Sequence, residues 1–188
     1  MSVGFHVRIG SYIPDPAMAE KELSAINRVL VRADLPPYQE PTSDLTPDIY
    51  TIFHRFRCLG RARLDHNSAA NFDQLGYAAQ QQLGAEAKML SLLLLGRPLY
   101  FLPVPFAEPL FLDDGYHSRQ PLCSSHQSIS ELVALAKYLN ISLDGGSRLS
   151  DATAQAINDA DEEPQTVWLT TFEAARQSVS HNCALVLA

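Results

Sequence analysis

The residues best suited to chemistry lie close together between positions 113 and 126. They are two acids, two histidines and a cysteine: Asp113, Asp114, His117, Cys123 and His126. A thiolate is a strong nucleophile, an imidazole can act as its base, and a carboxylate can orient that imidazole. The sequence therefore offers Cys123 as a candidate nucleophile, with His117 or His126 as base and Asp113 or Asp114 as the orienting group.

The same residues have a simpler interpretation as a polar surface loop, which their spacing favours. No catalytic motif surrounds Cys123, and cysteine is among the side chains most often buried. His117, Cys123 and His126 could instead bind one zinc ion, but their spacing matches no closed zinc pattern and no fourth ligand is evident. We therefore predict no metal and no cofactor, and we lean towards a protein that is not an enzyme.

Ser124 and Ser125 are candidate ligand-binding residues of a different kind. They lead into a helix whose first amides could bind a phosphate or a carboxylate. The stretch Ser128-Ile129-Ser130-Glu131 has the pattern of a capping box, however, in which Ser128 and Glu131 satisfy those amides themselves. We therefore favour a structural helix start.

Two further features could contact a ligand. Arg57 and Arg61 lie one helical turn apart and could meet a phosphate or an acidic partner. Phe106 stands between prolines and an acid, where it could wall a groove. For the arginines we favour a solvated helix face.

Charge and cysteine content restrict the class of protein. The 188 residues carry a net charge of -7, which argues against a dedicated nucleic-acid binder because such a protein needs a cationic surface. Three widely spaced cysteines without a CxxC pair are typical of reduced thiols in the cytoplasm. No signal peptide is visible, and the longest apolar run, Met89 to Leu95, is far shorter than the roughly 20 residues of a membrane span.

The apolar periodicity predicts the elements that would position these residues. Helices are expected over 16–32, 78–95, 128–140, 150–157 and 170–180. Their predicted start signals include Asp15-Pro16, Ser150 and a second capping-box pattern, Thr170-Thr171-Phe172-Glu173. Asp48–His66 could be helix or strand, and we favour a helix. Strands are expected over Phe5–Ile9, Leu99–Val104, Leu110–Leu112 and Cys183–Leu187. The loops between them include 67–76, 113–126 and the acidic run from Asp159 to Glu163. We expect the closing strand to pair with the first, because chain termini often lie close together.

The order of these features resembles that of a group of small uncharacterised bacterial cytosolic proteins. The resemblance rests on the strand that ends in Leu-Pro-Val-Pro-Phe, on Glu108-Pro109-Leu110, on Ser124-Ser125 and on the late Trp168. This chain has Cys123 where a glycine is expected before the serines. No activity is established for the group, so the resemblance implies an accessory or interaction role and no catalytic residue.

Together these observations predict a single helix-dominated domain over 1–188, of the α+β (or α/β) class, with a small sheet of three to four short strands. We expect a non-enzymatic, acidic interaction or accessory (immunity-like) protein of the bacterial cytoplasm. Its partner is expected to be a protein of basic charge, with no role for nucleic acid or membrane. The alternative is a small ligand-binding protein or hydrolase-type enzyme that uses the 113–126 loop.

Overall fold

The computed structural model describes residues 5–41, 69–95, 98–113, 118–160 and 162–188. The ambiguous segment Asp48–His66, with Arg57 and Arg61, lies outside the described residues. Five strands are present in the described part: β1 (Phe5–Val7), β2 (Leu99–Leu102), β3 (Leu110–Asp113), β4 (Ser118–Ser124) and β5 (Leu185–Leu187). The α-helices in the described part are α1 (Ile9–Tyr12), α2 (Pro16–Arg32), α3 (Ala69–Leu83), α4 (Ser125–Ala136), α5 (Asp151–Ala160) and α6 (Glu163–His181).

The strands form one mixed sheet in the order β1-β5-β2-β4-β3. The pair β2–β4 is parallel, and the other neighbouring pairs are antiparallel. The closing strand pairs with the first, as predicted, with Phe5 opposite Leu187. The predicted helix-dominated α+β fold is confirmed, and the sheet has one strand more than expected.

Both faces of the sheet are covered. Along β2 all four residues are buried, and successive side chains point to opposite faces. Leu99 and Phe101 join a core cluster with residues of α3, α4 and α6, whereas Tyr100 and Leu102 join a second cluster with residues of α2. The sheet therefore separates a layer formed by α2 from a layer formed by the later helices.

Helix α2 begins and ends where the sequence predicts. The Asp15 side chain accepts hydrogen bonds from the amides of Ala17 and Met18, and Pro16 occupies the first turn, where its missing amide costs nothing. Ile26 and Leu30 are fully buried on its inner face.

The prediction of one helix over 78–95 after a loop over 67–76 is wrong. Helix α3 begins at Ala69 and ends at Leu83, and short 3-10 helices follow over Gly84–Glu86 and Leu90–Leu95. Gly84 has a φ of 58°, the left-handed conformation that commonly terminates an α-helix. The chain then folds back along α3, and a Cβ atom at Gly76 would lie only 3.0 Å from the Leu94 side chain.

Residues 118–124 of the predicted loop over 113–126 form the strand β4. Proline rarely occurs within a paired strand, yet Pro121 lies in β4 opposite Phe111. Arg119 has a φ of 58°, and the β3–β4 register shifts between Leu112 and Asp113. These irregularities hide the strand from a pattern-based prediction.

Both predicted capping boxes are also wrong. Helix α4 begins at Ser125 with Ser124 as its N-cap, so Ser128 lies in the first turn and its hydroxyl donates to the carbonyl of Ser124 at 2.8 Å. Thr170 lies within α6, where its hydroxyl donates to the Thr166 carbonyl at 3.0 Å. A Ser/Thr-x-x-Glu pattern occurs inside these helices because hydroxyl groups can also bond to the preceding turn.

Candidate functional site

Cys123 and His126 do not form a nucleophile–base pair in this structure. Cys123 is fully buried on β4, whereas His126 is exposed on α4. Burial, and secondarily the nearby Glu131 carboxylate, raises the pKa of the Cys123 thiol far above its usual range, which disfavours the thiolate. Asp113 ends β3, while Asp114 and His117 lie outside the described residues. The catalytic role of this set stays a prediction without geometric support.

The two candidate ligand-binding serines have structural partners. The Ser124 hydroxyl donates to the carbonyl of Val104 at 2.8 Å and accepts from the amide of Gln127 at 3.3 Å. The Ser125 hydroxyl bonds that of Ser178 at 2.7 Å. Both serines are fully buried, so they fix the junction of β4 and α4. Phe106 is half-buried and packs against both core clusters.

The described ranges contain neither a metal-binding cluster nor a helix that could span a membrane. There, no cluster of three or more histidine, cysteine or acidic side chains is arranged to hold a metal ion. Within those same ranges, no helix is both long and apolar enough to cross a bilayer.

An open cleft of about 360 Å³ lies between α4 and the segments around residues 86 and 107. Its lining includes Glu86, Lys88 and Glu131, so its charges have both signs. Glu131 is only 3% exposed, and its carboxylate accepts bonds from the amides of Met89 and Leu90 at 2.9–3.0 Å. The carboxylate therefore has a structural role, because it accepts hydrogen bonds at the start of the 3-10 helix Leu90–Leu95.

The distribution of charge along the chain is strongly uneven. Residues 149–175 contain six acids and no lysine or arginine. The remaining residues carry 15 acids and 14 bases, so they contribute a net charge of only -1. Nearly all of the net charge of -7 therefore belongs to one segment of 27 residues, which forms α5 and most of α6.

Four of these six acids form an exposed group, here called the acidic surface: Asp151, Asp159, Glu162 and Glu163. The fifth, Glu173, is buried and pairs with Arg176 at 2.8 Å, and the sixth, Asp161, lies outside the described residues. The predicted solvated loop over the acidic run is therefore wrong for Asp159 and Glu163, which lie within helices.

The acidic surface is built on two consecutive helices. Asp151 and Asp159 stand at opposite ends of α5, about 12 Å apart along its axis at 1.5 Å per residue. Glu162 is the N-cap residue of α6, and Glu163 follows it. Asp159, Glu162 and Glu163 fall within five consecutive positions, so their fields add at a physiological Debye length of about 8 Å.

Not all of these positions favour helix stability. Asp151, Glu162 and Glu163 lie at helix N-termini, where the macrodipole stabilises a negative charge. Asp159 lies in the last turn of α5, where the helix dipole destabilises its negative charge. Its carboxylate accepts a 2.8 Å hydrogen bond from the side-chain amide of Gln155. Helix stability therefore does not account for the charge at Asp159.

Helix α6 anchors this surface to the core. The Trp168 indole donates to the carbonyl of Leu132 on α4 at 2.8 Å, and its ring stacks on Phe172 with centroids 4.7 Å apart. The side-chain amide of Gln165 donates to the Leu139 carbonyl at 3.0 Å.

Helix α5 has the predicted N-cap. The hydroxyl of Ser150 accepts a hydrogen bond from the backbone amide of Thr153 at 3.1 Å.

The sequence already contained the signal for this surface. The acidic run by itself predicts only a solvated loop. The informative quantity is the absence of compensating bases over 27 residues, which appears only when charge is summed along the chain.

A protein family described as "Putative DNA-mimic protein" matches residues 1–187. No curated protein and no solved structure matches the chain. The family match agrees with the resemblance to a group of small proteins, and it adds a description that the resemblance lacked.

The match corrects the predicted partner. We expected a basic protein of unspecified kind and no role for nucleic acid. A DNA mimic imitates nucleic acid, so its partners are DNA-binding proteins and DNA is the competing ligand. A net charge of -7 argues against binding to DNA, which is itself negatively charged. The same charge is compatible with a protein that imitates DNA.

Proposed function

We propose, from the premise that this chain belongs to the DNA-mimic family, that its acidic surface occupies the DNA-binding surface of a protein. The observation that carries this proposal is the concentration of a charge of -6 in residues 149–175. A DNA-binding surface is cationic because it must neutralise phosphates. Carboxylates carried on the helices α5 and α6 can replace those phosphates.

The geometry supports a role for the acidic surface as a unit. Its four members are exposed and lie on two helices joined by a short connection. No Lys or Arg occurs in the segment that carries them, so no intramolecular ion pair within it competes with a cationic partner. Long-range attraction between opposite charges also speeds association.

The expected consequence is inhibition. A protein that occupies a DNA-binding surface excludes DNA by mass action. This is one form of the accessory role that size and charge predict. We further place this activity in the bacterial cytoplasm, in keeping with the two buried free cysteines, Cys123 and Cys183.

DNA–cellulose chromatography tests this proposal. DNA-binding proteins from a bacterial lysate are retained on the resin, and the purified protein is then applied at physiological salt. We expect it to release a defined subset, which mass spectrometry identifies.

Two charge variants make the test specific. The surface variant D151N/D159N/E162Q/E163Q should release nothing above buffer. The matched variant E20Q/D34N/E86Q/D144N removes the same charge from exposed acids elsewhere and should release the same proteins as the wild type. Equal release by both variants would show that net charge alone acts, and no release by the wild type would refute the proposal.

A further inference from the structure

Helices α5 and α6, which pack against each other, each carry a buried polar side chain without a hydrogen-bond partner in the described part. Asn158 on α5 is 8% exposed, and neither its Oδ1 nor its Nδ2 has a hydrogen-bond partner among the described residues. The Oγ1 atom of Thr166 on α6 also lacks a hydrogen-bond partner among the described residues, and Thr166 is 8% exposed. Buried polar groups are nearly always satisfied, because each one left unpaired loses its hydration without compensation.

Helix α5 is also weakly held by apolar contacts. Of its ten residues, only Ala154 and Ile157 are buried and apolar. Helix α6 buries eleven residues, among them Trp168 and Phe172. The packing thus fixes α6 in the core and leaves α5 attached along a narrow strip.

The chain before α5 permits movement. Gly145 and Gly146 lie in an exposed turn with φ of 57° and 80°, a region in which glycine carries no steric penalty. A change of backbone angles at these positions would displace α5 and withdraw Leu149, Ala154 and Ile157 from the core.

We propose that α5 detaches locally from α6, and that this opening adjusts the position of Asp151 and Asp159 relative to Glu162 and Glu163. The closed state leaves the Asn158 and Thr166 atoms unsatisfied, and the open state lets water or a partner bond to them. The unsatisfied atoms therefore reduce the free-energy difference between the closed and the open state. The functional use of this opening, the fitting of the acidic surface to a partner, rests on the proposed function.

Opening would also change what the surface presents. The Asn158 carboxamide has one acceptor and two donor hydrogens, and it would become exposed next to Asp159. DNA likewise presents donors and acceptors on its base edges as well as the charges of its phosphates.

Hydrogen exchange of the full-length free protein, read by mass spectrometry, tests the opening. Amides of residues 153–160 should exchange at least about tenfold faster than those of 167–178, as expected of a separately opening unit. The variant Asn158→Leu should slow exchange in α5 by about tenfold, because an apolar side chain of similar size loses nothing on burial. Thr166→Val should act in the same direction. Ala156→Leu, the control that places the same side chain at an exposed position of α5, should change the rate by less than about twofold.

Two results would overturn the proposal. Equal exchange in α5 and α6 would show that they open together. Faster exchange in both Asn158→Leu and Thr166→Val would show that these side chains are satisfied, for example by a bound water. Either result would leave the proposed function intact, because the release of DNA-binding proteins depends on the surface charges.

Discussion

The carboxylate of Glu131 accepts a hydrogen bond from the backbone amide of Leu90 at 2.9 Å, across 41 residues of sequence. The amide of Met89 bonds the same carboxylate at 3.0 Å. An acidic side chain on α4 thus satisfies the free amides at the start of the 3-10 helix Leu90–Leu95. This contact joins the apolar segment after α3 to the helix that supports α6.

Replacing Glu131 with leucine should therefore destabilise the protein. The change leaves the buried amides of Met89 and Leu90 without an acceptor, at a cost of about 2–4 kcal/mol. Urea unfolding followed by circular dichroism measures the loss. Ser130→Ala, which removes an exposed hydroxyl from the same helix, should cost less than about 0.5 kcal/mol. Equal stability of the two variants would show that the Glu131 contact contributes nothing.

Stability should also depend on the ionisation of Glu131. Burial raises the pKa of its carboxyl above the ordinary value of 4.5, although the bonds from Leu90 and Met89 oppose that rise. The folded state then binds the proton more tightly than the unfolded state. Its contribution to stability is fully present below pH 4.5 and is lost as pH rises through the folded pKa.

The variant Glu131→Gln isolates this effect because it keeps a carbonyl acceptor and cannot titrate. Urea midpoints are compared between pH 4 and pH 8. The wild type should lose stability relative to the variant as pH rises, and a constant difference would contradict the raised pKa. Glu40 also has a raised pKa caused by burial, and it is unchanged in both proteins, so it cancels in the comparison.

The two described cysteines should be unreactive in the folded protein. Cys123 and Cys183 are both fully buried, and burial raises the pKa of the Cys183 thiol to about 11. Iodoacetamide at neutral pH should modify neither one before unfolding, as peptide mapping can show, whereas both should react in urea. Rapid modification of native Cys123 would revive the nucleophile hypothesis.

Features set by neighbouring residues could be predicted from the sequence. The Asp15-Pro16 start of α2 and the Ser150 cap of α5 depend on contacts within three residues. The closing strand can be predicted because a short continuous apolar run, Cys183 to Leu187, is typical of a buried strand.

Features set by distant contacts could not. Glu131 was assigned to its own helix start because nothing local reveals that its carboxylate reaches Met89 and Leu90. The pattern does not predict strand β4 because Pro121 lies within it, opposite Phe111, at a position that proline rarely occupies. The acidic surface was missed for another reason: charge acts over several turns of helix, and a local interpretation cannot sum it.

The central claim is that the acidic surface competes with DNA. It is tested most directly with one DNA-binding protein released from DNA–cellulose, bound to a fluorescent duplex and titrated with the wild type and the two charge variants. We predict that the surface variant needs at least about ten times more protein than the wild type to release half of the duplex, whereas the matched variant stays within about twofold. Equal potency of the surface variant and the wild type would contradict the claim.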